Sequence, residues 1–299
     1  MQKILTVEGL SKSYGAVKAL LNLSITVHKG DVFGILGPNG SGKTTTLGIV
    51  LGVTNASTGS YSWFEQGNNH ELRKKIGALL DKPNFYPHLN GFQNLKLVAD
   101  IKDVKNPKIK EKLEFAGIAK SANRKFITYS TGMKQRLALA STLLGDPEVL
   151  VLDEPTNGLD PEGIADVRQL IQKIANEGIT VIMASHLLDE VQKVCTHVAV
   201  LKSGNKLFEG NVQSLLTGDQ GIEIGSDNLD KLEVVLSDFE GIESMEKKPG
   251  CYYIKLKHGY KSSELSAYLI TNGVEITHFA HKSSSLEQEF LHLLSENRA

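Results

Sequence analysis

The segment DVFGILGPNGSGKTTTLGIVLG, Asp31 to Gly52, decides the fold. VFGILG is a continuous apolar run of the length expected for a strand buried on both faces, and GKTTTLGIVLG reads as the start of a helix. Between them lies Gly37-x-x-x-x-Gly42-Lys43-Thr44, the spacing of a phosphate-binding loop. Glycines at 37, 40 and 42 let the backbone curl until its amides face one point. A polyphosphate there meets amide donors and the positive end of a helix. Lys43 is placed to reach the β- and γ-phosphates, and the Thr44 hydroxyl suits Mg²⁺.

Two further apolar runs point to the same rim. EVLVLDEPTNGLDP, Glu148 to Pro161, ends a strand in Asp153-Glu154, at the carboxyl end where open α/β sheets bind ligands. Asp153 is suited to hold Mg²⁺ through water, and Glu154 to act as general base on an attacking water or to orient it. Asp160 then caps a helix with Pro161 in its first turn, and Ile164, Val167, Leu170, Ile171 and Ile174 form its expected buried face. GITVIMASHLLDEV, Gly178 to Val191, supplies the next strand, which ends at Ser185-His186. That histidine is placed to hydrogen-bond a γ-phosphate. A fourth stretch, YSTGMKQRLALA from Tyr129, is a polar turn with Ser130 and Gly132 followed by a helix, a second anion-favouring helix start.

Composition bounds the alternatives. At 299 residues the chain is long enough for one large or two modest domains. Its formal net charge of −1 lacks the basic footprint of a nucleic-acid binder. Two cysteines, Cys195 and Cys251, are too few for a disulfide framework and are expected to be buried thiols of a cytosolic protein. The opening MQKILTVEGLSKSYG has no sustained apolar core of a signal peptide, and no run of about 18 apolar residues is present to span a membrane.

In order and spacing these motifs resemble the ATP-binding cassette proteins, the motor subunits of ABC transporters, over residues 1 to about 215. The residues that carry the resemblance are GPNGSGKTT from Gly37 through Pro38, Asn39, Gly40, Ser41, Gly42, Lys43 and Thr44 to Thr45, then YSTGMKQRL, VLVLDEP, NGLD ending at Asp160, and His186. SKSYG matches the family's aromatic loop, which implies that Tyr14 stacks on adenine. The resemblance implies an α/β P-loop NTPase cassette, a mixed sheet core plus a helical arm at about 84–146, that hydrolyses ATP with Mg²⁺. It also implies a head-to-tail homodimer in which Ser130, Thr131 and Gly132 of one copy close over the γ-phosphate held by the other. The expected partner is a separately encoded membrane permease, with the chain peripheral at the inner face of the cell membrane and no nucleic acid bound. Phe85, Tyr86 and Leu89 would help line the groove that receives the permease.

Departures mark the chain. Thr131 and Met133 stand where the usual signature has other residues, though the Ser130–Gly132 frame survives. Asp81 occupies the place of a glutamine that touches Mg²⁺ or water in the family, so metal contact there would be by charge. The context IGALLDKPNFYPHLNGFQNL is similar to the bacitracin and lantibiotic self-protection exporters, which implies export of a peptide antibiotic or another drug. A soluble ABC ATPase acting on nucleic acid or ribosomes is the competing class, but the interval from Lys43 to Ser130 leaves no room for long coiled coils, and only one cassette is present. A GTPase is disfavoured by the lack of an Asn-Lys-x-Asp motif.

Residues 216–299 read as a separate α+β accessory domain after a linker at Thr217–Gln220. IEI, the helix LDKLEVVLSDF, a hairpin turning at Lys248-Pro249-Gly250, the helix SSELSAYLITNG and the strand VEITHFA give the β-α-β-β-α-β order of a ferredoxin-like domain. A last helix, SLEQEFLHLLSE, is expected to finish the chain.

Overall fold

A computed structural model of the chain describes residues 2–80, 84–216 and 221–282. Asp81, the Thr217–Gln220 linker and the expected last helix lie outside the described residues. Two compact units divide the chain, Met1–Val212 and Gln213–Ala299, each with its own apolar core.

The first unit begins with β1 (Lys3–Tyr14) and β2 (Val17–His28), an antiparallel pair, followed by β3 (Val32–Leu36), α1 (Lys43–Val50) and β4 (Thr58–Trp63). Then come α2 (His70–Arg73), β5 (Ile76–Leu79), α3 (Gly91–Ile101), α4 (Ile109–Phe115) and α5 (Thr131–Thr142). It closes with β6 (Val149–Asp153), α6 (Pro161–Asn176), β7 (Thr180–Ser185), α7 (Leu188–Val194), β8 (His197–Lys202) and β9 (Asn205–Asn211), and the short helix α8 (Val212–Leu216) starts at its last residue and runs on into the second unit.

Two sheets result. A three-stranded antiparallel sheet runs β2-β1-β4. The six-stranded sheet runs β5-β6-β7-β3-β8-β9 and is parallel throughout except for the β8/β9 hairpin at its edge. The continuous apolar runs have their explanation here. All five residues of β3 and all six of β7 are buried, as parallel strands covered on both faces require. The β3–β7–β6 neighbourhood also brings the carboxyl ends of three strands to one rim, although they lie far apart in sequence.

Helix starts follow local chemistry. Asn90 and Gln93 form a capping box on α3, Ser130 Oγ accepts from the Met133 amide at 3.2 Å, and Asp160 Oδ1 accepts from the Gly163 amide at 2.8 Å. On α6, Val167, Leu170, Ile171 and Ile174 are buried as expected, but Ile164 is only half-buried and Gly163 takes the inner place. There the first turn of α6 lies against α5 at ordinary van der Waals distance, a Cβ on Gly132 standing 3.8 Å from Gly163 Cα, and a Cβ on Gly163 itself would meet the capping Asp160 Oδ1 at 2.7 Å.

The second unit contains β10 (Gly221–Ser226), α9 (Leu229–Ser237), β11 (Ile242–Lys248), β12 (Cys251–Leu256), α10 (Ser262–Thr271) and β13 (Ile276–Lys282). Its sheet is antiparallel with order β11-β12-β10-β13, and Lys248 pairs with Cys251 across the Pro249-Gly250 turn. Ile222, Ile224, Tyr252 and Ile254 pack under Leu232, Leu236, Leu265 and Leu269.

The cysteine expectation holds for one residue. Cys195 is buried against Gly34 and Val191, and burial pushes its thiol up to about 12, with the Glu190 carboxylate adding to the effect. Cys251 is half-buried instead, because it sits beside the hairpin turn where β12 has only begun to enter the core. Among the described residues no helix is long and apolar enough to cross a membrane.

Gly77 in β5 tests the packing of sheet against arm. A Cβ there would overlap the Thr142 carbonyl oxygen and stand 2.6 Å from Leu150 Cδ2. Gly77→Ala is expected to lower stability by about 1–3 kcal/mol, read as a lower urea midpoint at unchanged slope. An unchanged midpoint would mean that the α5 terminus yields freely.

Candidate active site

After β3 the chain enters the glycine loop. Gly40 and Gly42 have φ of +79° and +106°, in the left-handed region that favours glycine. Gly37 is fixed by space instead: a Cβ would collide with the Leu201 carbonyl and stand 2.5 Å from Ser41 Oγ. Pro38, Asn39 and Gly40 form the exposed crest, Ser41, Gly42 and Lys43 the buried floor, with Thr44 exposed and Thr45 half-buried on the first turn of α1. No side chain caps α1, so its first amides stay available to a ligand.

Lys43 is 5% exposed, and its ammonium donates to the carbonyls of Gly37 at 2.8 Å and Pro38 at 3.3 Å. It also pairs with Glu154 Oε1 at 3.4 Å. The other Glu154 oxygen, Oε2, lies 2.7 Å from His186 Nδ1 and accepts from the His186 amide at 3.4 Å. Lys43, Glu154 and His186, read separately from three motifs, thus meet in one chain of contacts. Glu154 itself has φ of +47°, uncommon for a residue with a side chain. The turn is held by its amide, which donates to the Ala184 carbonyl at 3.0 Å, while the Gly37 amide donates to Ser185 at 3.3 Å. Asp153, half-buried, ends β6 one residue earlier.

The site fits a polyphosphate. Among the described residues Ser41 Oγ is buried without a hydrogen-bond partner, beside a space that a Cβ at Gly37 would fill. The Thr44 hydroxyl and the Asp153 carboxylate are hard oxygen donors of the kind Mg²⁺ takes.

Tyr14 is 51% exposed at the end of β1. Its neighbour strand β2 lies beside the loop: a Cβ on Gly42 would stand 2.6 Å from the Ala19 carbonyl and Leu20 Cδ2. The remaining residues gather elsewhere. Ser130, Thr131, Gly132 and Asp160 line a cavity of about 530 Å³ whose walls contain none of the phosphate-loop residues. There the caps of α5 and α6 open side by side, and Arg136 pairs with Asp166 at 3.3 Å. At the start of the arm, Tyr86 is exposed, while Phe85, half-buried, meets Phe126 edge to face at 5.3 Å.

Sequence reasoning missed Glu190. It is one turn beyond His186 on α7 and only 3% exposed, with Oε2 unpartnered and Arg168 3.9 Å from Oε1. Burial raises its carboxyl above the usual range, and the Arg168 guanidinium works against that. The available signal was a glutamate on the apolar face of a short helix, beside Val191 and Val194.

A carboxyl whose folded pKa is raised binds its proton more tightly in the folded chain, so stability falls as pH rises above roughly 4.3, the usual glutamate value. Glu190→Gln is expected to flatten that part of the stability–pH curve measured by urea unfolding. Superimposable curves would mean an ordinary, ionised Glu190.

The ABC transporter family matches residues 20–157. The chain is 35% identical over 296 residues to the uncharacterized ABC transporter ATP-binding protein YdbJ of Bacillus subtilis (strain 168), covering 97% of this chain and 95% of that protein. It is 33% identical over 300 residues to the bacitracin transport ATP-binding protein BcrA of Bacillus licheniformis, covering 98% of each. Among solved structures, the dimeric post-hydrolysis state of the ATP-binding cassette MJ0796 bound to ADP and Pi aligns with a TM-score of 0.61 at 26% identity, over 70% of this chain and 99% of that one.

Proposed function

Because the chain belongs to the ABC transporter family, whose ATP-binding cassettes hydrolyse ATP to power transport, we propose that it is the motor subunit of an exporter for a peptide antibiotic or another drug. The observation that carries the motor assignment is the contact chain Lys43–Glu154–His186 beside the unpartnered Ser41 Oγ. The export assignment is supported by likeness to a bacitracin transport protein along nearly the whole of both chains.

Each residue then has a physical task. Amides of the 37–42 loop and the first turn of α1 cradle the phosphates, with Ser41 Oγ and Lys43 as further donors. Thr44 and Asp153 hold Mg²⁺, with Asp81 a further candidate ligand; when bound, the ion neutralises charge on the phosphates. Tyr14 stacks on adenine. Lys43 gives up the Glu154 carboxylate when phosphate arrives, which frees that carboxylate to take a proton from water or orient it. His186, hydrogen-bonded to Glu154, contacts the γ-phosphate from the neighbouring strand end.

Ser130, Thr131, Gly132 and Asp160 line a cavity whose walls contain none of the chain's own phosphate-loop residues. We assign them to the nucleotide of a second copy, in a head-to-tail dimer of cassettes, and the dimeric structure of a similar cassette supports this arrangement. Closure of the pair moves the arms and, through them, a separately encoded permease at the cytoplasmic face of the membrane. Phe85, Tyr86 and Leu89 contribute to the receiving groove. We read the second unit as a ferredoxin-like accessory domain, which its β-α-β-β-α-β order and strand arrangement support.

Glu154→Gln is expected to bind ATP while its turnover falls roughly a hundredfold or more, and to persist as a dimer in gel filtration with ATP. Rapid turnover would remove Glu154 from the chemistry. Lys43→Ala should lose ATP binding in equilibrium titration, and undiminished affinity would defeat the phosphate-loop assignment. The transport role is tested by gentle solubilisation of host membranes with the tagged chain. A multi-span protein near one-to-one supports it, and a partnerless or ribosome-bound chain overturns it.

A further inference from the structure

We infer that Lys12 is a positioning residue for the Tyr14 ring, a role that rests on the assignment of Tyr14 to adenine. Lys12 Nζ lies 4.8 Å from the centroid of the Tyr14 ring. The same ammonium donates to the Asn55 carbonyl at 2.6 Å, so it is anchored rather than free to follow the ring. A register irregularity in the β1/β2 pairing falls between Lys12 and Ser13, and irregularities of this kind redirect side chains.

Two consequences follow for a base. An aromatic ring presents negative π density on both faces, and so does a purine, which weakens direct face-to-face stacking. A fixed cation behind one face of Tyr14 draws that density back and makes the opposite face the better platform. It also fixes the orientation of a side chain that is otherwise half-exposed and free to rotate.

The anchor matters as much as the charge. Asn55 lies in the loop that leaves α1, the helix whose first turn faces the phosphates. Nearby, the Ser57 amide donates to the Ser11 carbonyl at 2.8 Å and the Ser13 amide donates to Ser57 Oγ at 3.1 Å. On the other side, the Gly204 amide donates to Ser41 O, and the Leu21 amide donates to Gly204 O. The end of β1 is therefore tied directly to the loop that leaves α1, and its partner β2 is tied through Gly204 to the loop before that helix, and Lys12 extends the first tie to the aromatic ring. Base and triphosphate sites are held at a set separation.

Equilibrium titration of the full chain with MgATP and with magnesium tripolyphosphate separates this role from a general effect of charge. In Lys12→Met the ATP dissociation constant is expected to rise roughly two- to fivefold, while tripolyphosphate affinity stays unchanged. Lys12→Arg, which keeps cation and donor, should restore ATP affinity. In a Tyr14→Ala background Lys12→Met should have no further effect. Equal weakening toward both ligands, unchanged or tighter ATP binding in Lys12→Met, or an undiminished effect without Tyr14 overturns the inference. Tyr14→Ala with parental ATP affinity removes the platform and Lys12's role with it, whereas failure of the phosphate loop itself would appear as undiminished ATP affinity in Lys43→Ala.

Discussion

Two backbone carbonyls at the end of β7 hold the site together. Ser185 accepts from the Gly37 amide and Ala184 from the Glu154 amide, so one strand end fixes the phosphate loop on one side and the acidic turn on the other. Both acceptors lie where the β7 ladder ends, with β3 and β6 as its neighbours. A shift of β7 by one residue would reverse every side chain and break both bonds together. The left-handed φ of Glu154 is sustained by this constraint, since an isolated turn would relax away from it.

Within that frame, the charges of the site satisfy one another. The Lys43 ammonium is nearly enclosed, yet it has two carbonyls and a carboxylate as partners. Glu154 in turn is shared between Lys43 and His186. A buried charge without such partners would be costly. In the function proposed above, phosphate would offer Lys43 a stronger partner at the same place and would release the Glu154 carboxylate.

What the sequence made legible was local or periodic. The glycine loop announces itself by spacing, the strands β3, β6 and β7 by unbroken apolar runs, and α6 by Asp160-Pro161 at its start. The meeting of Lys43 with Glu154 was not legible as a contact, because it depends on a β6-β7-β3 order that no local pattern encodes. The same holds for Glu190, whose burial is decided by the sheet beneath α7, and for Ile164, which is half-buried while Gly163 takes the inner place. Lys12 was invisible for another reason: a lysine two residues before an exposed tyrosine looks like an ordinary solvated edge, and only the position of Asn55 turns it inward.

The strand order also bears on how the chain comes into being. β3 lies between β7 and β8, whose residues follow it by some 150 positions. At synthesis rates of 5–20 residues per second, roughly eight to thirty seconds separate the emergence of β3 from that of its two neighbours. During that interval the run VFGIL has neither ladder partner, and non-local parallel pairing is slow to form even when partners arrive. The phosphate loop therefore takes shape late in biogenesis, after nearly the whole first unit has been made. The second unit pairs its strands within Gly221–Lys282 and needs no such wait.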